Sequence, residues 1–277
     1  MAAIKKRTRD IKTHKTLEPS VVKREKTSII SPEARIDPTV VIGPYSIIED
    51  DVEIDAQTKI GSHVIIKNGA RIGKNNFIYA GTQISTDPQD HHFKGEFSQC
   101  IIGDNNIIRE YTTISRATGE NEKTMIGNNN MIMTYVHIAH NNRIGDNTVV
   151  SSNTQLGGYV ELDDYVNIGG LTGVHQYCRI GKYAMLGAKS YLNKDLAPYL
   201  LARGNRAKVH GLNVKGLTRN SFSWQQIEEI KNIYRMINES RYTIAQCLEV
   251  IETNKNNHVQ AIAQFIKDSK RGILLHR

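Results

Sequence analysis

Residues 126–192 read IGNNNMIMTYVHIAHNNRIGDNTVVSSNTQLGGYVELDDYVNIGGLTGVHQYCRIGKYAMLGAKSYL and carry an aliphatic residue at every sixth position. The series has no exception and consists of Ile126, Ile132, Ile138, Ile144, Val150, Leu156, Leu162, Ile168, Val174, Ile180, Leu186 and Leu192. With a background of about one in three for Ile, Leu and Val, twelve successive matches have a probability of roughly one in half a million. A structural repeat therefore determines the fold.

The period of six residues separates this repeat from an ordinary helix or sheet. A helix repeats about every 3.6 residues and a strand about every two, whereas three short strands of six residues make one triangular coil of eighteen. A small, β-branched or amide residue stands two positions before most of the aliphatic residues, and Gly or Asp often follows them. These residues suit a narrow interior and tight corners. The sequence therefore predicts a mainly β protein, a parallel β-helix of hexapeptide repeats.

The repeat divides the chain into three parts. The predicted β-helix covers residues 28–195 and is interrupted by a long loop at 85–101, called the flap below, and by a second loop at 115–125. Residues 196–277 are expected to form a connector, irregular over 195–220, followed by a helical C-terminal domain. Its helices are predicted to begin near Ser223, Thr243 and His258. Such a domain covers the open end of a solenoid.

Composition limits the classes of function. Nine basic and three acidic residues lie in the first 27, so most of the net charge of +8 belongs to a predicted disordered, basic N-terminal extension at 1–27. A basic contact arm is the alternative, but the nearly neutral remainder does not favour a nucleic-acid partner. No secretory signal and no transmembrane run is recognisable. Cys100 and Cys178 occupy interior positions, which together with Cys247 indicates reduced thiols and a cytoplasmic location.

Polar residues recur eighteen positions apart on one side of the predicted β-helix. His140, Gly158 and Gln176 form one column, His137, Gln155 and Gly173 form another, and His175 lies one position from the first. Residues eighteen apart lie one coil apart, at about the 4.8 Å spacing of neighbouring strands. The columns predict a polar site across three coils. Because histidine is common on solenoid surfaces, a purely structural role is the alternative.

The chain also contains five motifs: HIAH at 137–140, GGLTGVHQY at 169–177, PQD and FKGE within 88–96, GN at 204–205 and GLNVKGLTR at 211–219. In this order they resemble a known family, the hexapeptide-repeat acyl-[acyl carrier protein]:UDP-N-acetylglucosamine 3-O-acyltransferases of lipid A biosynthesis. The resemblance covers residues 28–277 and implies a left-handed β-helix and a homotrimer. It also implies acyl carrier protein as partner, UDP-N-acetylglucosamine or a close analogue as acceptor, and no cofactor or metal beyond the phosphopantetheine of the carrier.

The resemblance further implies roles for single residues. His140 would be the general base for the sugar hydroxyl, and the Gly158 N–H would stabilise the oxyanion. The implied substrate contacts are Asp90, His137, His175, Gln176, Asn213 and Arg219. From the residues alone, Asp90 could equally be a turn residue, and Arg219 could merely precede a helix. Ala188 falls where the family sets acyl length, and its small side chain predicts a chain nearer to about fourteen carbons than ten.

Three positions depart from the family pattern. Asn141 replaces a usual Asp beside the base, Tyr159 replaces a usual His, and His92 replaces a usual Lys in the flap. An amide can orient an imidazole but hardly compensates its charge, so slower chemistry is predicted. The alternatives are a diverged paralogue that uses a 3-amino sugar nucleotide or binds without turnover and, more remotely, a γ-type carbonic anhydrase with zinc-ligating histidines.

Overall fold

Short parallel strands stack into three sheets, which form the faces of a triangular prism. The computed structural model describes residues 26–239, 243–254 and 256–275, so the predicted extension at 1–27 lies outside the described residues apart from its last two. Mainly β architecture, parallel pairing and a left-handed β-helix of hexapeptide repeats are confirmed.

The faces are numbered in the order in which the chain meets them. Face 1 contains Ile29–Ile30, Ile47–Ile48, Ile65–Ile66, Gln83–Thr86, Thr113–Ser115, His137–Ile138, Gln155–Leu156, Gly173–Val174 and Tyr191–Leu192. Face 2 contains Arg35–Ile36, Val52–Ile54, Ala70–Ile72, Gln99–Ile102, Lys123–Ile126, Arg143–Ile144, Glu161–Leu162 and Arg179–Ile180. Face 3 contains Val41–Ile42, Lys59–Ile60, Phe77–Ile78, Ile107–Ile108, Met131–Ile132, Val149–Val150, Asn167–Ile168, Met185–Leu186, Leu200–Arg203 and Lys208–Leu212.

The two loops lengthen individual coils without disturbing the repeat. In the regular part, strand partners are eighteen residues apart, as in the pair His137 and Gln155. Across the flap, Cys100 pairs with Ala70, thirty residues earlier. Across the second loop, Thr113 pairs with His137 at a separation of twenty-four. The insertions therefore equal two and one hexapeptides, which is why the aliphatic positions return to the interior afterwards.

The interior is filled by the sixfold series of aliphatic side chains. Ile132, Ile138 and Leu156, for example, have no exposed surface. Burial of each such side chain contributes about 1.5–3 kcal/mol to the free energy of unfolding. Glycine at the corners is required where coils approach closely, since a Cβ on Gly43 would lie 2.6 Å from the carbonyl carbon of Gly61. Small residues are required because the coils stack directly on one another.

Three corners join the faces, and each carries a column of residues with left-handed φ. Corner A joins faces 1 and 2 and contains Asn141, Tyr159 and Tyr177; corner B joins faces 2 and 3 and contains Asn147, Tyr165 and Tyr183; corner C joins faces 3 and 1 and contains Tyr135, Asn153 and Leu171. Asparagine tolerates this conformation well. The tyrosines stack between coils, with centroids 4.7 Å apart for Tyr159 and Tyr177. The corners therefore fix where side chains leave the prism.

Residues 195–220 are more ordered than predicted. Leu200–Arg203 and Lys208–Leu212 form an antiparallel hairpin, and Val214–Arg219 forms a short helix, α1. The expectation of an irregular connector is therefore wrong. The first hairpin strand extends face 3 by pairing with Met185 and Leu186. The open edge of face 3 therefore orders this strand, and the sequence of residues 195–220 alone does not reveal that edge.

Three longer helices follow: α2 at Trp224–Glu239, α3 at Ile244–Glu252 and α4 at Asn257–Lys267. Ser223 and Gln226 form the reciprocal hydrogen bonds of a capping box before α2, and Thr243 caps α3 in the same way. The helices pack on the last coil, where Tyr234 Oη donates a hydrogen bond of 2.7 Å to the Pro198 carbonyl. In the described part of the chain, no helix has the length and apolar character needed to cross a membrane.

Candidate active site

The HIAH segment places two histidines around a buried isoleucine. Ile138 is fully buried, whereas His137 lies on the outer side of face 1. The chain then turns at corner A, where Asn141 has a φ of 58°. His140 immediately precedes this turn and is only 9% exposed. The repeat therefore holds the His140 imidazole at one edge of the prism.

Two backbone hydrogen bonds orient the amide of Asn141. Its Oδ1 accepts a hydrogen bond of 2.9 Å from the Thr118 N–H, and its Nδ2 donates one of 3.1 Å to the Thr118 carbonyl. Because a backbone N–H and a carbonyl cannot exchange roles, it is the amide oxygen that lies 2.9 Å from His140 Nδ1. That oxygen can only accept, so Nδ1 carries the proton and Nε2 presents a lone pair. This is the tautomer that a base acting through Nε2 needs.

Gly158, one coil above, lies against the imidazole. A Cβ on Gly158 would lie 2.6 Å from His140 Cε1 and 2.7 Å from Nε2, well inside normal contact distance. The next residue, Tyr159, meets the ring edge-on, with centroids 5.4 Å apart and planes at 88°. A reacting carbonyl beside Nε2 would therefore be next to the backbone of Gly158.

The flap brings Asp90 to the same nitrogen. Asp90 Oδ2 lies 3.8 Å from His140 Nε2, and the Asp90 side chain is only 16% exposed. Its other oxygen, Oδ1, accepts a hydrogen bond of 3.0 Å from the His92 N–H and lies 2.9 Å from His92 Nδ1. These hydrogen bonds, first from the backbone and then from the side chain of His92, lower the pKa of Asp90 to about 2. Asp90 is therefore a carboxylate at neutral pH.

The second loop supports the flap, a role that sequence reasoning missed. Gly119 N–H donates a hydrogen bond of 2.7 Å to Glu96 Oε1, and Asn121 N–H donates one of 2.8 Å to the Phe97 carbonyl. Arg116 also pairs with Asp87 at 2.8 Å. The loop that holds the Asn141 amide through Thr118 therefore also anchors the flap. The only sequence signal was the position of both loops in neighbouring coils.

Other predicted residues of corner A lie nearby. His137 is half-buried, and its Nδ1 is 2.8 Å from Thr113 Oγ1. Burial lowers the pKa of His137, and nearby His140 adds to this effect. His175 and Gln176 follow the next strand of face 1, one coil above Gly158, and His175 Nδ1 is 3.0 Å from the Gln176 carbonyl. His175 and Gln176 therefore lie above His140 at corner A, whereas His137 lies in the coil of His140 on face 1.

Three predicted site residues lie at other corners of the same chain. Asn213 caps α1 and donates a hydrogen bond of 2.9 Å to the Tyr183 carbonyl at corner B. Arg219, the last residue of α1, is exposed on that side. Ala188 is exposed beside Lys189, which continues corner C. One chain therefore does not bring Asn213, Arg219 or Ala188 to His140.

A cavity of about 700 Å³ adjoins corner A on the side of face 2. The stacked rings of Tyr159 and Tyr177 form one wall, and residues of the C-terminal segment, including Lys270 and Arg271, form the other. Arg179 lines the cavity and pairs with Glu161 at 3.0 Å. Tyr159 lines this cavity and also contacts His140.

The described residues contain no group of three or more His, Cys, Asp or Glu side chains that could hold a metal ion within one chain. The three histidines that suggested a carbonic anhydrase each have Nδ1 near an oxygen: His140 near Asn141 Oδ1, His137 near Thr113 Oγ1 and His175 near the Gln176 carbonyl. Corner A therefore combines an imidazole with a neighbouring carboxylate.

Comparisons with known proteins agree with this geometry. Residues 195–274 match the family described as UDP N-acetylglucosamine O-acyltransferase, domain 2, and residues 123–158 match the bacterial transferase hexapeptide family (six repeats). An acyl-[acyl-carrier-protein]–UDP-N-acetylglucosamine O-acyltransferase of Aliarcobacter butzleri is 42% identical over 91% of this chain and 98% of its own length. The corresponding protein of Myxococcus xanthus is 38% identical over 89% of this chain and 97% of its own.

Solved structures give the same result. The UDP-N-acetylglucosamine acyltransferase of Francisella novicida superimposes with a TM-score of 0.89 at 36% identity, covering 91% of this chain and 94% of that one. The UDP-N-acetylglucosamine O-acyltransferase of Moraxella catarrhalis superimposes with a TM-score of 0.88 at 38% identity, covering 91% of this chain and all of that one. The similarity therefore extends over the β-helix and the C-terminal helices together.

Proposed function

The chain belongs to the family of acyl-[acyl-carrier-protein]–UDP-N-acetylglucosamine O-acyltransferases and is an O-acyltransferase, and from this premise we propose that His140 is its general base. The proposed reaction transfers a 3-hydroxyacyl chain from acyl carrier protein to the 3-hydroxyl of UDP-N-acetylglucosamine, the first step of lipid A biosynthesis. The observation that carries the proposal is the free Nε2 of His140, whose other nitrogen is held by the oriented amide of Asn141.

In the proposed reaction, His140 first accepts a proton from the sugar hydroxyl and later donates it to the leaving thiolate. A sugar hydroxyl is too weak an acid to ionise at neutral pH, so Nε2 removes its proton while the oxygen attacks the thioester carbonyl. The Gly158 N–H is the proposed donor to the resulting oxyanion. When the carbon–sulfur bond breaks, the imidazolium returns its proton to the thiolate of the phosphopantetheine. His140 handles both transfers, so the proposed mechanism uses no metal and no covalent enzyme intermediate.

We further propose that the site is completed in a homotrimer. The outward side chains of face 3 are largely apolar: Val41, Phe77, Ile107, Met131, Val149, Met185 and Leu201. Face 1 adds Ile29, Ile47 and Ile65, whereas face 2 carries the charged series Arg35, Glu53, Arg71, Arg143, Glu161 and Arg179. Apolar faces favour burial between subunits, and charged faces favour water.

One packing of three such prisms around an axis would place the apolar faces between subunits. If face 1 of each subunit covers face 3 of the next, corner C lies at the axis, and corner A of one subunit meets corner B of its neighbour. This contact would bring Asn213 and Arg219 of one subunit to His140 of another. It would also let the acyl chain run between the subunits toward Ala188. The arrangement supports the implied roles of these residues as contacts for the nucleotide sugar and the acyl chain.

An acyl-transfer assay tests the base. Native protein and His140→Ala are compared with radiolabelled acyl carrier protein donors of several lengths, using UDP-N-acetylglucosamine and its 3-amino analogue as acceptors. We expect product from the native protein and a rate at least about 10²-fold lower from the variant. Equal rates would refute the assignment of the base. A preference for the amino acceptor would instead support the paralogue with nitrogen chemistry, and no product with any donor would support binding without turnover.

Subunit mixing tests the shared site. His140→Ala and Arg219→Ala are each expected to be nearly inactive, and the two proteins are unfolded and refolded together to give mixed trimers. If each site combines His140 of one subunit with Arg219 of the next, about a quarter of the sites in random trimers have both native residues. About a quarter of native activity should therefore return. If both residues serve the same subunit, mixing restores nothing.

A further inference from the structure

The proposed general base must pass through a positively charged state, and the residue beside it cannot balance that charge. Asn141 is neutral, and its Oδ1 is shared between His140 Nδ1 and the Thr118 N–H. Its two backbone hydrogen bonds also prevent the amide from turning. An amide in this position fixes the tautomer but contributes no negative charge to the imidazolium. A compensating carboxylate must therefore come from elsewhere, or the base is weakened.

Asp90 is in place to supply it. Among the residues that the structure describes, it is the one carboxylate within ion-pair distance of His140, at 3.8 Å from Nε2. The two side chains are largely buried, with 16% of the Asp90 side-chain surface and 11% of the His140 side-chain surface exposed, so water screens their interaction weakly. The hydrogen bonds from His92 keep the carboxylate ionised. The distance is too long for a hydrogen bond, so the Nε2 lone pair stays available to the sugar hydroxyl.

We propose that Asp90, from the flap, is the electrostatic partner of His140 and takes over the charge compensation that the neutral Asn141 lacks. The proposal rests on the proposed function of His140 and gives Asp90 a role besides contact with the sugar. Asp90 acts through His140 and is therefore a positioning residue. His92 holds Asp90 in turn, and the second loop holds the flap, so the active protonation cycle of His140 depends on both loops.

A role in sugar binding alone makes a different prediction. If Asp90 only contacts a sugar hydroxyl that is bound equally well before and during reaction, Asp90→Asn raises KM and leaves kcat unchanged. If Asp90 stabilises the imidazolium, Asp90→Asn lowers kcat. A new carboxylate placed near Nδ1, on the other side of the ring, should then partly restore kcat. Position 141 offers that site, because its side chain already contacts His140 Nδ1.

The test compares four proteins: native, Asp90→Asn, Asn141→Asp and the double variant. A carboxylate next to an imidazole favours its charged form by about one to three pH units, or about ten- to a thousandfold in equilibrium. We therefore expect Asp90→Asn to lower kcat by about 10²-fold and the double variant to recover at least tenfold of that loss. Unchanged kcat in Asp90→Asn, or a double variant no faster than Asp90→Asn, would overturn the proposal.

A matched control removes a carboxylate that does not face the ring. Glu120 is exposed on the same loop as Thr118, so Glu120→Gln makes the same change in net charge close to the site. Its kcat should stay within about twofold of native. Circular dichroism and thermal unfolding of all five proteins establish that each is folded, and the recovery in the double variant cannot arise from a folding defect.

A second readout does not depend on turnover. The titratable groups around His140 are Asp90 and His92 on the flap, His137 on face 1 and Tyr159 at corner A. Histidine is labelled at Cε1, and the NMR signal of His140 is assigned by its loss in His140→Ala. The midpoint pH at which the chemical shift of this signal changes should be about one unit lower in Asp90→Asn than in native protein. No displacement would overturn the electrostatic role even if the transfer assay gave no product, so failure of this proposal is distinguishable from failure of the proposed function.

Discussion

The close approach of Gly158 to His140 makes Gly158→Ala a test of the site at the scale of a single methyl group. The new Cβ would lie 2.6 Å from Cε1 and 2.7 Å from Nε2, whereas carbon atoms in contact prefer about 3.5–4.0 Å. The imidazole must therefore move by roughly 0.8 Å or more. It cannot move freely, because Nδ1 is held by Asn141 and Asn141 is held by Thr118.

The expected loss follows from this displacement. A misplacement of about 1 Å at a reacting group costs about 10²-fold in rate, equivalent to about 2.7 kcal/mol in the activation free energy. The N–H of residue 158 is retained and its φ lies outside the left-handed region, so the protein should fold normally. We therefore expect kcat to fall by about 10²-fold, with a thermal midpoint within a few degrees of native.

The assay is acyl transfer at saturating donor and acceptor. Gly173→Ala is the control, because within one chain a Cβ there would meet only the Tyr191 ring, at an ordinary contact distance of 3.4 Å, and kcat should stay within a few-fold of native. A folded Gly158→Ala protein with kcat within threefold of native would refute the reasoning, since His140 would then either not be the base or not need its present position.

Three further predictions concern other parts of the chain. Ala188→Met should shorten the preferred donor by about two to four carbons, because it fills the proposed end of the acyl path; an unchanged chain-length profile in a competition between donors would contradict this. Asp90 has its pKa lowered to about 2, so its carboxylate stabilises the folded protein above the ordinary pKa near 4, and this contribution disappears as pH falls toward 2. The difference in unfolding free energy between native protein and Asp90→Asn, measured in urea, should therefore shrink from pH 5 to pH 3, and a constant difference would argue against it. Burial raises the pKa of Cys100 and Cys178 to about 12, so peptide mass spectrometry should find both unalkylated by iodoacetamide at pH 8 unless the protein is first unfolded.

The sequence by itself determined the architecture, because one physical requirement recurs through most of the chain. Each coil must bury one aliphatic side chain per face, and the sequence accordingly has an aliphatic residue at every sixth position from Ile126 to Leu192. Counting in eighteens also predicted that His140, Gly158 and Gln176 share a column, and backbone bonds from Tyr159 to His140 and from Tyr177 to Gly158 follow that column.

Tertiary structure decided what the repeat does not encode. Residues 200–212 form a hairpin because face 3 offers them an edge, which local propensity cannot reveal. The tautomer of His140 depends on Thr118, and its nearest carboxylate depends on Asp90. Both residues come from loops that leave the sixfold pattern, and loop conformations are set by contacts distant in sequence. The periodic core therefore positions the imidazole, whereas the two aperiodic loops set its tautomer and place a carboxylate beside it.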